Sequence, residues 1–171
     1  LNVGANRTDT PSLYVDGVKV PATYDPVTGT LTPNTPLSQG LHHLSYTFTD
    51  AAGNESGQSP VRDLTIDTTA PAAPTSAPGG YLDNVGSVQN ATSNAAVTDD
   101  TTPGLNVGTG HTDTLGLYVD GIKVPAIYDP VTGTLTPITP LTPGLHHLSY
   151  TFTDAAGNES GQSPVRDLTI D

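Results

Sequence analysis

Apolar residues in this chain come in short alternating runs cut by turn residues. In residues 145–153, Leu148, Tyr150 and Phe152 alternate with Ser149, Thr151 and Thr153. A period of two sends one set to a core and the other to the opposite face of a strand. Runs at 104–108, 115–119, 122–126, 134–136 and 165–170 predict further strands, the last with Leu168 and Ile170 facing inward. Asp120-Gly121, between two of these runs, predicts a two-residue hairpin turn, because both turn positions need positive φ. Residues 129–133 (DPVTG) predict another turn. Residues 70–75 (APAAPT) predict an extended, Pro-rich edge strand, and 79–100 a long polar excursion. No window sustains apolar residues at helical spacing. The pattern therefore predicts an all-β domain.

The pattern also repeats. Residues 1–67 return as 105–171, a shift of 104, and the copies differ at ten positions (5, 6, 7, 11, 12, 18, 23, 34, 38 and 39). That period exceeds the roughly 20–50 residues of a solenoid turn and suits one independently folding domain. Residues 68–171 read as a complete repeat, and 1–67 as an incomplete one lacking the first strand and the loop after it. The abrupt start is expected to be a cut within a longer protein. Seven short strands per repeat, A to G, match the count of an immunoglobulin-like β-sandwich. Only the stretch from Asp67 to Pro71 joins the copies, shorter than a flexible Gly/Ser connector.

Composition narrows the chemistry. Net charge is −12, which disfavours nucleic acid and anionic membrane as partners. No apolar run approaches the about 20 residues of a membrane-spanning helix, so no membrane insertion is expected. There is no cysteine, hence no disulfide. Of 17 acidic residues, 15 are Asp, a bias that suits Asx turns and calcium loops. Low Lys with abundant Thr, Asp, Gly and Pro suggests an extracellular protein.

Seven-strand topology sorts these acids. It places Asp67 of the linker near Asp154, Asn158 and Glu159 of the next F–G loop, with Thr112 and Asp113 at the same pole. Asp83, Asp99 and Asp100 fall in the A–B excursion. Carboxylates converging without Lys or Arg repel one another unless a cation joins them, and oxygen-only ligands select calcium. The alternative is an ordinary Asx-rich turn at 154–158, with Asp99 merely leading into strand B. Neither an EF-hand pattern nor a glycine-rich nonapeptide is present.

The runs DTTAPAAP (67–74), YLDNVGSV (81–88), TDDTTP (98–103) and TDAAGNES (153–160) resemble the bacterial immunoglobulin-like repeats of giant adhesins exported by type I secretion, of the biofilm-associated and RTX types. The resemblance covers the complete copy and residues 2–67 of the other. It implies a secreted, cell-surface stalk: a monomeric rod of neighbouring repeats of the same chain, stiffened by calcium at and near the junctions, that projects a ligand-binding tip. By motif position it implies Asp67, Asp83, Asp99, Asp100, Asp154 and Asn158 as calcium ligands, with Asp50 and Asn54 in the incomplete copy. The B–C stretch GTGHTDTLGLYVDG departs from the commoner pattern.

Other motifs read as structural. His42-His43 and His146-His147 lie on strand F, where adjacent residues face opposite sides, so each pair should be one packed and one exposed ring rather than a chelate. Ser, His and Asp occur without a G-x-S-x-G elbow, and no catalysis is expected. Sequons begin at Asn6, Asn54, Asn90 and Asn158. Tyr14 and Tyr118 alternate with apolar strand neighbours and read as sheet packing. The expected role is a non-catalytic extender repeat. The alternatives are a glycan- or protein-binding module using residues 109–116, or a strand-exchanging subunit.

Overall fold

The computed structural model describes residues 1–86 and 91–171, and no helix occurs among them. The chain divides into two compact units, Leu1–Thr68 and Thr69–Asp171.

The first unit has six strands: β1 (Thr10–Val15), β2 (Val18–Val20), β3 (Ala22–Asp25), β4 (Thr30–Pro33), β5 (Gly40–Thr49) and β6 (Arg62–Ile66). One sheet runs β2-β1-β5-β6, and β3 pairs with β4. Val3, Leu13, Val15, Leu31 and Leu44 form its buried core.

The described residues of the second unit form ten strands: β7 (Tyr81–Asp83), β8 (Ala91–Ser93), β9 (Val97–Thr98), β10 (Gly104–Asn106), β11 (Thr114–Val119), β12 (Ile122–Val124), β13 (Ala126–Asp129), β14 (Thr134–Pro137), β15 (Gly144–Thr153) and β16 (Arg166–Ile170). They build two five-stranded sheets, β13-β14-β10-β7-β8 and β12-β11-β15-β16-β9. Tyr81, Leu105 and Leu135 of the first sheet share a core with Leu117, Leu148, Tyr150, Leu168 and Ile170 of the second. The all-β sandwich expected from the alternation is the architecture that forms.

Strand boundaries differ from the sequence expectation in three places. Residues 70–75 form no strand, since Pro71 and Pro74 have no N–H to give a ladder. The first-strand role passes to β7, which pairs with β10, and to β9, which runs parallel to β16. The run 122–126 is broken at Pro125, where the chain leaves β12 in one sheet and enters β13 in the other. The excursion 79–100 carries three short strands, because Tyr81 and Leu82 find partners in β10 and β8. Among the described residues of the second unit, ten strands rather than seven follow from these changes.

The turn chemistry follows the sequence. Asp120 (φ 53°) and Gly121 (φ 79°) both take positive φ, and β11 pairs with β12 in the register Val119 opposite Ile122. His146 is buried and His147 exposed, the inward–outward division expected of neighbours on a strand.

Candidate functional site

Asp154 follows β15 and organises the turn there. Its Oδ1 accepts the amides of Ala156 and Asn158, both at 2.9 Å, and its Oδ2 accepts the Asn158 side-chain amide at 2.9 Å. Gly157 closes the turn at φ 93° and donates to the Asp154 carbonyl. Asp50 and Asn54 repeat this arrangement in the first unit at 2.8–3.0 Å. In both units the Asn side chain first, then backbone N–H groups, hold the Asp carboxyl below its usual value. The carboxylate is thus engaged by N–H donors of its own loop, the geometry of an Asx turn.

Asp83, Asp99 and Asp100 lie in a different setting. Asp83 is 7 % exposed and Asp100 is 1 % exposed. Asp83 Oδ1 accepts the Val85 amide at 3.1 Å, and its Oδ2 accepts the Thr98 hydroxyl at 3.1 Å. The same Thr98 oxygen accepts the Asp100 amide at 3.1 Å. Asp100 in turn accepts the Asn84 amide at 3.2 Å and the Thr102 amide at 2.8 Å. Asp99 is exposed, and its Oδ2 would lie 2.8 Å from a Cβ added at Gly86, whose φ is 70°. A glycine at 86 is what lets that carboxylate sit against the loop.

Among the described residues no Lys, Arg or His forms an ion pair with these three acids. Burying a carboxylate without a counter-charge is costly. The donor set is all hard oxygen, which fits calcium better than any softer metal. No group of three or more His, Asp or Glu converges as a ready-made cage among the described residues. The donors are of the type that calcium takes, but among the described residues the three carboxylates do not converge on one point.

Asp67 lies in the first unit, where Gln39 Nε2 approaches its Oδ1 at 3.5 Å. Gln39 also accepts the Thr68 hydroxyl at 2.6 Å. Pro143 takes the place of Gln39 in the second unit, so that contact is peculiar to the first copy. Of the motif residues, Ser87, Val88 and the sequon residue Asn90 lie outside the described residues.

One cluster has no counterpart in the sequence reading. Glu159 Oε1 accepts Thr151 Oγ1 at 2.6 Å, Lys123 Nζ at 2.7 Å and the Tyr118 hydroxyl at 3.2 Å. Beside it the Ser149 hydroxyl donates to Gln162 Oε1 at 2.7 Å. Ser149 and Thr151 are buried although they face away from the core, because these longer side chains cover them. The available signal was the Asp-Gly hairpin, which sets Tyr118 opposite Lys123. Tyr14, Lys19, Thr47 and Glu55 repeat the cluster in the first unit. Glu159, placed by topology among junction acids, is thereby tied to its own sheet.

The B–C stretch, where the copies differ at residues 5–7 and 109–111, keeps one packing role. Arg7 lies over the Phe48 ring at 3.4 Å, and His111, at the equivalent position, stands 4.9 Å from the Phe152 ring.

Residues 1–68 and 83–171 match the model of a family described as bacterial Ig-like domain. No curated protein matches the chain. Among solved structures, the fibronectin(III)-like modules of Clostridium thermocellum CbhA align with a TM-score of 0.55 at 13% identity, covering 100% of this chain and 82% of that one. A Bacteroides ovatus mixed-linkage glucan utilization locus protein, SGBP-B, in complex with a mixed-linkage heptasaccharide, aligns at 16% identity with a TM-score of 0.31, over 95% of this chain and 37% of that one. The first likeness is one of fold; the second is too distant to support an argument.

Proposed function

Since this chain belongs to the bacterial Ig-like domain family, we propose that it is a non-catalytic extender segment of a large bacterial cell-surface adhesin, stiffened by calcium. The observation that carries the reading is the repetition itself. Residues 1–67 and 105–171 differ at ten positions and share every residue of the Asp154 turn and the Glu159 cluster. Near-identical repeated copies suit spacing, whereas a specific adhesive tip needs only one copy. In this reading the protein is secreted and works at the cell surface, beside further repeats of the same parent chain.

Asp83, Asp99 and Asp100 would hold the first ion. Bound there, calcium supplies the positive charge that the buried pair lacks. The chain's own part is positional: Thr98 and the amides of Asn84, Val85 and Thr102 orient the carboxylates. Asp50 with Asn54, Asp154 with Asn158, and Asp67 would be ligands of further ions in the same reading, where metal would take over from the N–H donors that the carboxylates now accept. Extracellular modules bind calcium with dissociation constants of about 10⁻⁴–10⁻³ M, so such sites fill outside the cell and stay empty in the cytosol.

Thermal unfolding of the full chain with millimolar calcium, and again with chelator, tests the metal. Calcium is expected to raise the melting temperature, and Asp83→Asn with Asp100→Asn to reduce the increment. Identical melts in both buffers would defeat the calcium part. A panel of glycans and surface proteins tests the role: an extender gives no saturable binding, and a saturable ligand would replace it with an adhesive module.

A further inference from the structure

Two buried histidines face oxygen at both ring nitrogens. His146 of β15, 8 % exposed, places Nδ1 at 2.8 Å from Asp120 Oδ2 and Nε2 at 2.8 Å from the Thr142 carbonyl. His42 repeats this in the first unit, 2.8 Å from Asp16 Oδ2 and 2.8 Å from the Ser38 carbonyl. Residue 38 is Ser and residue 142 is Thr, yet the contact persists because it is made by backbone.

A neutral imidazole has one N–H and one lone pair. A carbonyl and an ionised carboxylate only accept. A neutral ring in this seat would aim its lone pair at an oxygen 2.8 Å away, on one side or the other. Only the imidazolium, with two N–H groups, satisfies both.

We propose that His42 and His146 are the doubly protonated bolts of a pH-dependent clamp, each fastening the tip of a β-hairpin to the loop ahead of the longest strand. In the second unit the bolt joins the β11–β12 turn to residues 138–143. It stands at the edge of a cleft of about 320 Å³ bordered by Val119, Val124, Pro125, Leu141 and Thr142. Loss of the ring proton removes one of the two contacts and frees the loop from the turn.

The surrounding charges are few. The β11–β12 turn contributes Asp120, whose other oxygen accepts the His147 amide at 2.8 Å. On the same strand, His147 turns the other way and pairs with Asp167 of β16 at 2.7 Å. The loop before β15 contributes the Thr142 carbonyl and no charge. In the first unit Asp16, His43 and Asp63 hold the same places. The Thr142 carbonyl and then Asp120 raise the affinity of His146 for its proton against the effect of burial, and Asp16 and then the Ser38 carbonyl do so for His42. The folded ring therefore titrates above the unfolded value of about 6.5. The clamp's contribution is complete below that pH and is lost as pH rises through the folded value.

Nitrogen-resolved NMR of the imidazoles in the full chain reads the protonation state directly. His42 and His146 are expected to show protons on both nitrogens at about pH 6.5, with titration midpoints above about 6.5. A single protonated nitrogen at that pH, or midpoints at or below it, would overturn the proposal. Melting between about pH 6 and pH 9 reads the consequence. The pair His42→Gln with His146→Gln should flatten the alkaline fall in melting temperature, and His43→Gln with His147→Gln should leave it. An unflattened fall in the first pair also overturns the clamp. If that pair does not fold, the wild-type ring titration decides alone.

Discussion

The Lys123 ammonium lies 2.7 Å from Glu159 Oε1, on an oxygen that also accepts the buried Thr151 hydroxyl. The lysine side chain is half exposed, so water screens the charge pair, while the Thr151 bond is sheltered. A double-mutant cycle with Lys123→Met and Glu159→Gln should give a coupling of only about 0.2–1 kcal/mol, shrinking with added salt. Glu159→Ala should cost more, about 1–3 kcal/mol, because it leaves the Thr151 hydroxyl without its acceptor. Urea unfolding of the four proteins of the cycle and of Glu159→Ala measures both.

Acid should unfold the first unit through its carboxylates. The Thr47 hydroxyl, then Lys19 and Tyr14, lower the Glu55 pKa to about 2 from 4.5. A group depressed on folding contributes stability above its unfolded value and loses it as pH falls through the folded one. The contribution of Glu55 is therefore present at pH 5 and above and fades toward about pH 2. Circular-dichroism melts across that range should show a falling melting temperature, with a shallower fall for Glu55→Gln.

Leu168 and Leu64 are the same residue of the two repeats, yet Leu168 is 0 % exposed and Leu64 is 39 % exposed. Tyr81 belongs to the core around Leu168, and residues 1–68 hold no copy of the segment that carries it. Leu168→Ala should cost about 2–5 kcal/mol. Leu64→Ala should cost less than half as much. Hydrogen exchange resolved by unit separates the two effects within one chain.

Gly133 takes φ 71°, and a Cβ there would lie 2.7 Å from the Gly108 carbonyl carbon. Gly121 has φ 79° but open space around it. Gly121→Ala should cost about 1–2 kcal/mol, the conformational penalty alone. Gly133→Ala should cost more, since backbone of residue 108 must also move. Chemical denaturation of the two variants gives the comparison.

Turns and strand faces were legible in the sequence because their causes are local. Asp120-Gly121 turns where it does because both residues tolerate positive φ. Leu148 and Tyr150 face the core because successive side chains alternate. The buried-and-exposed histidine pair follows from the same rule. The strand expected at 70–75 did not form, because extended Pro-rich chain lacks the donors that pairing requires.

The repeat, the all-β class, the turns and the inward faces were decided by the sequence alone, through steric rules acting over a few residues. Tertiary structure decided which polar groups meet. Thr151 reaches Glu159, His146 bridges Asp120 to Thr142, and Thr98 links Asp83 to Asp100. Such meetings depend on the register between strands distant along the chain, and burial of Asp83 and Asp100 depends on where β7 and β9 pair. A local pattern carries no record of either, because both are set by packing the two sheets around one core.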